Sequence, residues 1–397
     1  MPLVNDTAHA FVPYPDAPVA HAASGPLTGL DFAVKDLYDI AGYPTGGGQP
    51  FVLAMSGIKT RTAPAVQALL DAGARFVGKT VTDELAFSMN GNNAHFGAPV
   101  NGAVPERITG GSSSGSASAV SSHLCDFALG TDTGGSVRAP ANHCALWGIR
   151  PTHGRISLDG VLDLAPSLDT CGWLARDATT FGRVGAVLLG ADAAPLPEAI
   201  RLLKPTDLWA LLDDDVRLAQ IGPLALVEAA LGTAATMQVV PEGDIDAMYW
   251  HFRHIQGHEA WRTNGPLIER FKPPLGPGVA ERFAWSKGVG DEQFASATAY
   301  RERLRARLGA LLGHDGVLVL PTLPDIAPLC SDDGDMMESY RNRSIQLLCL
   351  AGLSGFPQLS MPLGKRLGAP LGLSLLGPAG SDLSLVRLAE RIAAPAA

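Results

Sequence analysis

Between Gly110 and Pro140 the chain crowds small residues into a stretch that cannot be a simple loop. Gly110-Gly111-Ser112-Ser113-Ser114-Gly115-Ser116-Ala117 opens it, and Gly130-Thr131-Asp132-Thr133-Gly134-Gly135-Ser136-Val137-Arg138-Ala139-Pro140 closes it. Glycine and serine alone would suit a flexible linker. Here Ala117, Ala119, Val120, Phe127, Ala128 and Leu129 are interleaved, so the segment has to be buried. Ser112–Ser122 reads as a helix of small side chains that can lie very close to its neighbours. Cys125–Leu129 reads as a strand that runs into the Gly-rich turn. A fold built around this stretch must bring backbone against backbone.

The rest of the chain alternates between strand-like and helix-like segments. Leu30–Val34 and Arg75–Gly78 are short apolar strands. Between them, Ala65–Ala72 has helical spacing, with Pro64 at its start and Gly73 at its end. Thr82 is placed to cap a helix over Asp83–Met89, with acidic residues in the first turn. Further on, helices are expected at Thr179–Leu189, Leu224–Ala235, Ile245–Trp261 and Glu292–Leu312. Strands are expected at Gly316–Leu320, Gln358–Pro362 and Leu371–Leu376, before a last helix over Ser381–Ala394. This alternation predicts an α/β fold with a parallel or mixed sheet. Residues 1–29, rich in proline and alanine, form an N-terminal extension expected to wrap the surface. Residues 30–397 form one domain, in which 200–300 is the region that could hold a helical cap.

Charge and cysteine usage narrow the function. Thirty lysines and arginines against 39 aspartates and glutamates leave a formal charge of −9, with no basic run. Such a chain is a poor candidate for binding nucleic acid or an anionic membrane surface. No apolar run approaches the roughly 20 residues of a membrane span. Met1–Gly29 lacks the basic and apolar regions of a signal peptide. Cys125, Cys144, Cys171, Cys330 and Cys349 are odd in number and widely spaced, so they read as buried free thiols in a reducing compartment. A cytoplasmic protein without metal or organic cofactor is expected.

Three local patterns imitate known sites. Gly73-Ala74-Arg75-Phe76-Val77-Gly78-Lys79-Thr80 matches the P-loop expression, but a helix precedes it and strand residues stand where the phosphate loop should be. It reads as a helix–strand connection ending in a solvated Lys79. Gly111-Ser112-Ser113-Ser114-Gly115 fits the nucleophile elbow of α/β-hydrolases, with Ser113 as nucleophile, yet no buried strand leads into it. His251, His254 and His258 fall near one helical face, but the order of residues is not that of a zinc protease. They read as a solvated or hydrogen-bonded face.

The serine and glycine block, together with Lys35 in Ala33-Val34-Lys35-Asp36-Leu37, resembles the amidase signature family. Ser167-Leu168-Asp169-Thr170, Leu320-Pro321-Thr322, Gly352–Pro362 and Pro370–Pro378 extend the resemblance from about Leu30 to the C-terminus. The resemblance implies a central twisted mixed sheet surrounded by helices and a serine amidase. It implies Ser136 as nucleophile, Ser112 as bridging serine, Lys35 as general base, and a cis peptide bond at Gly111–Ser112. Backbone N–H groups of Thr133, Gly134, Gly135 and Ser136 would form the oxyanion hole. A lysine can act as base only when neutral, so its pKa must fall well below about 10.4. Leu30, Phe32 and Val34 supply an apolar strand that could bury it. Asp132 and Arg138 bracket the loop and read as an ion pair that braces it, with substrate contact as the alternative. Ser113 and Ser114 read as capping and supporting residues, and Trp147 and Arg150 as structural.

Within the family, the wording resembles the small plant-type amidases that act on indole-3-acetamide. The segments are Asp126–Asp132, Asp169–Asp177 and Gly276–Arg282. This implies a small neutral carboxamide as substrate, cleaved to acid and ammonia. The short stretch before Lys35 puts the family's usual dimer mode in doubt and leaves a homodimer open. Two rivals stand beside this reading. One is the A-type subunit of a glutamine-dependent tRNA amidotransferase, and the other an esterase using Ser113.

Overall fold

Strands β1 (Asp31–Lys35), β2 (Arg75–Thr80) and β3 (Phe127–Thr131) pair in parallel, with β1 between the other two. Parallel strands are covered on both faces, so they need apolar or small residues at every position. Phe-Ala-Leu-Gly-Thr of β3 meets that demand and is buried throughout. Phe32 stacks on Phe127 at 5.3 Å and meets the edge of Phe76 at 6.0 Å. The computed structural model describes residues 5–394; residues 1–4 of the expected extension and 395–397 lie outside the description.

The sheet continues with β4 (Trp147–Arg150), β5 (Cys171–Ala175), β6 (Arg201–Pro205), β7 (Ala235–Met237), β8 (Gly316–Pro321) and β9 (Gln358–Met361). A small hairpin, β10 (Lys365–Arg366) and β11 (Ala369–Pro370), stands apart, and β12 (Leu373–Leu376) rejoins the main sheet. The order is β2-β1-β3-β5-β4-β9-β12-β8-β6-β7. The pairs from β3–β5 through β12–β8 are antiparallel, and the pairs at the two ends are parallel. It is the mixed sheet with surrounding helices that the sequence led one to expect. Within 200–300, β6 and β7 extend this sheet, and the helix Ile245–Phe271 packs against the helices Val279–Lys287, Asp291–Leu312 and Gly334–Ser354.

The small-residue helix is Ser114–Ser121, buried along its whole length. Its close packing requires glycine at one point. A Cβ on Gly115 would lie 2.4 Å from the Ala10 carbonyl oxygen and 2.6 Å from the Val81 nitrogen. Ser116 Oγ donates to the Leu129 carbonyl (2.8 Å) of β3, and Ser118 Oγ to the Val100 carbonyl (2.6 Å). The extension does lie along the body: Val12 N–H donates to Lys79 O, and Tyr14 Oη donates to Asp36.

Several expectations need correction. Asp83–Met89 is no helix. A single turn at Glu84–Ala86 forms, with Leu85 and Ala86 at positive φ. The buried carboxylates redirect the backbone there, because Asp83 accepts from Gly91 N–H and Glu84 from Gly276 N–H. Thr82 donates to Ser112 O instead of capping. The helix expected at Leu224–Ala235 spans Ile221–Leu231, stops at Gly232 with φ of 98°, and gives way to β7. The helix expected at Ile245–Trp261 runs on to Phe271, with Pro266 inside it. Cys330 is exposed, whereas the other four cysteines are buried. Of the solvated or hydrogen-bonded face expected for His251, His254 and His258, the structure shows a hydrogen bond from His258 to Val289 O and no open face, since each ring stacks on another: Tyr300, Trp285 and Phe294.

Lys79 is also not solvated. It ends β2 inside the fold, where Nζ lies 2.6 Å from Asp36 Oδ1 and donates to Pro44 O and Thr45 Oγ1. Removing one partner of a buried pair leaves the other charge uncompensated, at a cost of about 3–5 kcal/mol. Lys79→Ala is therefore expected to lower unfolding stability by that amount in urea titrations. An unchanged urea midpoint would show that the pair contributes nothing.

Candidate active site

Lys35 closes β1, opposite Thr80 of β2, one residue after the Val34–Leu129 register pair with β3. Its strand is apolar, so its ammonium has no route to water, and the residue is fully buried. Nζ donates to Ser112 Oγ at 2.7 Å and to Thr131 Oγ1 at 2.8 Å. Burial disfavours the charged form. It pulls the pKa from 10.5 down to about 7, although Asp83, Asp132 and Asp169 attract the charge. A lysine in this environment is substantially neutral near pH 7.

Ser112 follows a cis Gly111–Ser112 peptide bond. Its carbonyl accepts from Asp83 N–H (3.1 Å) and Thr82 Oγ1 (2.9 Å). A Cβ on Gly111 would lie 2.2 Å from Asp83 Oδ2, so no larger residue fits. Ser113 N–H donates to Ser136 O at 3.2 Å and ties the two serine segments together. The Ser113 hydroxyl exchanges hydrogen bonds with the Thr131 backbone inside the fold. The Ser113 side chain is fully buried and, against expectation, does not cap the helix, because its hydroxyl is turned to the Thr131 backbone. Ser114 is the first residue of its helix, with its hydroxyl toward the Asp83 carboxyl.

Ser136 lies at the wall of a narrow pocket of about 260 Å³. Phe87, Met89, Phe252, Gln256, Arg341 and Ile345 line it as well. Among the described residues, the Ser136 hydroxyl has no hydrogen-bond partner, and the Lys35-bound Ser112 hydroxyl makes no bond to it.

The loop before Ser136 is held by one carboxylate. Asp132 accepts from Arg138 Nε (3.0 Å) and Nη2 (2.9 Å), from Gly135 N–H (2.9 Å) and from Val137 N–H (3.2 Å). Burial alone would raise the Asp132 carboxyl, but Arg138 and Arg150 outweigh it and hold it well below the usual range. Asp132 and Arg138 form a fully buried ion pair. Arg150 adds to it by donating to the carbonyls of Asp132, Thr133 and Leu168. Thr133 Oγ1 donates to Asp169 Oδ1 at 2.6 Å.

Gly135 departs from its expected role. Its φ is +125°, and a Cβ would lie 2.4 Å from Leu348 Cδ1, so glycine is required. Its N–H, however, is taken by Asp132. Among the described residues, the N–H groups of Thr133, Gly134 and Ser136 have no acceptor.

Thr131 receives no role from the sequence alone, although it sits one residue before Asp132 in the same block. Phe252, Gln256, Arg341 and Ile345 escape sequence reasoning altogether. They come from helices Ile245–Phe271 and Gly334–Ser354, more than 100 residues away, and no local pattern marks them.

The comparisons agree with this architecture. The amidase family model matches residues 3–200. Amidase 1 of Arabidopsis thaliana is 38% identical over 95% of this chain and 96% of its own length. The A-type subunit of the glutamyl-tRNA(Gln) amidotransferase from Salinibacter ruber is 31% identical over 92% of this chain and 87% of its own. A crystal structure of an amidase superposes with a TM-score of 0.82 at 30% identity, covering 93% of this chain and 85% of the other. Fold and relatives together define an amide-hydrolysing enzyme. The chain belongs to the amidase family.

Proposed function

We propose that the protein cleaves a small carboxamide to a carboxylic acid and ammonia through an acyl-enzyme on Ser136. The observation that carries this reading is the buried Lys35–Ser112 hydrogen bond on a segment that the Ser113 N–H to Ser136 O bond ties to Ser136 at the pocket wall. Catalytic hydrogen bonds often tighten only when substrate binds. With an amide in the pocket, Ser136 Oγ gives its proton to Ser112, and Ser112 gives its own to neutral Lys35. The Ser136 Oγ–acyl carbon bond forms, and the substrate oxygen takes the negative charge. Backbone N–H groups of Thr133, Gly134 and Ser136 are the donors for it. The proton then returns through Ser112 to the amide nitrogen, the C–N bond breaks, and ammonia leaves. Water attacks the ester by the same relay and frees the acid and Ser136.

Phe87, Met89, Phe252 and Ile345 give the pocket apolar walls that suit a compact acyl chain, such as the neutral arylacetamide suggested by resemblance. In this reading the enzyme works alone, in the cytoplasm, and not as a subunit that hands ammonia to a partner. No helix among the described residues is long and apolar enough to cross a membrane. The test uses the purified single chain. It is expected to release ammonia from simple amides and to be labelled once, on Ser136, by a fluorophosphonate. Labelling of Ser113 or of no serine would overturn the assignment. Gel filtration of the same sample separates monomer from homodimer.

A further inference from the structure

The neutral amide expected from resemblance leaves one feature of the pocket unanswered. Arg341 lines the same pocket as Ser136, and it is only 3% exposed. Two more buried arginines, Arg253 and Arg282, stand near enough to repel it. Arg341 Nη1 donates to Glu338 Oε1 at 3.0 Å, and Arg282 Nη1 lies 3.7 Å from Glu338 Oε2. Arg253 donates to Tyr249 Oη at 2.8 Å and lies over the Trp285 ring at 4.8 Å, both neutral partners. Among the described residues, Glu338 is the one carboxylate within ion-pair distance of these three guanidiniums. It is itself half exposed. Among the described residues, Arg341 Nε has no hydrogen-bond partner. Burial, with the like charges of Arg282 and Arg253, pushes Arg341 down to about 9, which leaves it cationic at neutral pH.

Asp83 also attracts Arg282, but from beyond ion-pair distance, so three buried cations still face one carboxylate in direct contact. Burying a charge without a counter-charge is costly. A cluster of this kind next to a nucleophile is explained when the ligand supplies the missing anion. Guanidinium is the group best shaped for a carboxylate, because it can donate two parallel hydrogen bonds. The approach fits as well. Arg282 and Glu338 line a wider cavity of about 1250 Å³, and Ser88 lines both that cavity and the Ser136 pocket.

We propose that the substrate amide carries a carboxylate at the end remote from the scissile bond, and that Arg341 holds it while Ser136 attacks the amide. The inference rests on the amidase reading above and narrows it to anionic amides. Arg341 then determines specificity, and Arg253 and Arg282 maintain the positive field around it.

The test compares succinamate with butyramide, which differ by a carboxylate in place of a methyl group. Wild-type kcat/KM is expected to be at least tenfold higher for succinamate. That ratio should fall at least tenfold in Arg341→Met, mainly through KM for succinamate, and recover in part in Arg341→Lys. A wild-type preference for butyramide, or a ratio unaffected by Arg341→Met, overturns the proposal. Binding separates this failure from failure of the amidase reading. Calorimetry on Ser136→Ala, which requires no turnover, is expected to show at least tenfold tighter binding of succinamate than of butyramide. Equal affinities there overturn the carboxylate assignment even if the wild type hydrolyses amides. Preferential binding by a wild type that hydrolyses neither amide would retain the anion site and reject the amidase.

Discussion

Ser136→Ala is expected to lower amide turnover about ten-thousand-fold or more, leaving only what binding and oxyanion stabilisation supply. The physical reason is that Ser136 lines the pocket while the neighbouring serines of the block are already engaged. Ser112 is fully buried with its hydroxyl accepting from Lys35, and Ser113 is spent on the Thr131 backbone. The fold should survive, because the Ser136 hydroxyl has no hydrogen-bond partner among the described residues and alanine keeps the Cβ. Ammonia release and a thermal melt on the same sample check both halves. Activity within tenfold of wild type, with the fold intact, would place the nucleophile elsewhere.

Lys35→Met is expected to cost at least about a thousandfold, comparable to loss of a general base that acts as a unit with the nucleophile. Methionine keeps a buried apolar stem where the lysine stem lies, so the loss falls on proton transfer. The pH profile carries the sharper information. Lys35 has its pKa pulled down to about 7 by burial, so it is neutral above that pH and protonated below it. Only the neutral form accepts a proton. Wild-type kcat/KM should therefore fall about tenfold per pH unit below 7 and level off above it. On an activated ester, whose leaving group needs little protonation, Lys35→Met should lose that limb. If the limb persists without Lys35, another group supplies the titration and the lysine-base mechanism fails. Ser112→Ala added to Lys35→Met should cost little more than Lys35→Met alone, because the two residues serve one relay.

Much of this was legible in the sequence because it depends on local chemistry. The apolar strand ending at Lys35 gives β1 and buries the ammonium. The small-residue run of Ser114–Ser121 gives a helix that can touch its neighbours, and only glycine at 115 lets Ala10 and Val81 approach it. Asp132 and Arg138 are six residues apart on one turn, close enough for their pairing to be read from spacing. Where local reading failed, a distant partner had overruled it. Asp83 and Glu84 looked like the acidic first turn of a helix. Instead, the Gly91 and Gly276 amides draw their carboxylates inward and the helix never propagates. Lys79 looked like a solvated strand end because its partner, Asp36, lies on a different segment, and only the β1–β2 pairing brings the two together.

The sequence by itself determined which chemistry is available: a lysine on an apolar strand, two serines in glycine-rich turns, and a carboxylate and arginine to brace the loop. The tertiary structure alone decided what surrounds Ser136. Phe252, Gln256, Arg341 and Ile345 reach the pocket from two long helices that follow the catalytic segments by more than 100 residues. Hydrophobic periodicity says that a helix buries one face, but it does not say against which loop. That choice depends on how the helices pack in the finished fold, and it places Arg341 in the pocket that Ser136 lines. Electrostatics follow the same division. The charge of each residue is written in the chain, whereas the fall of Lys35 to about 7 and the imbalance of three arginines against Glu338 exist only once water has been removed from around them.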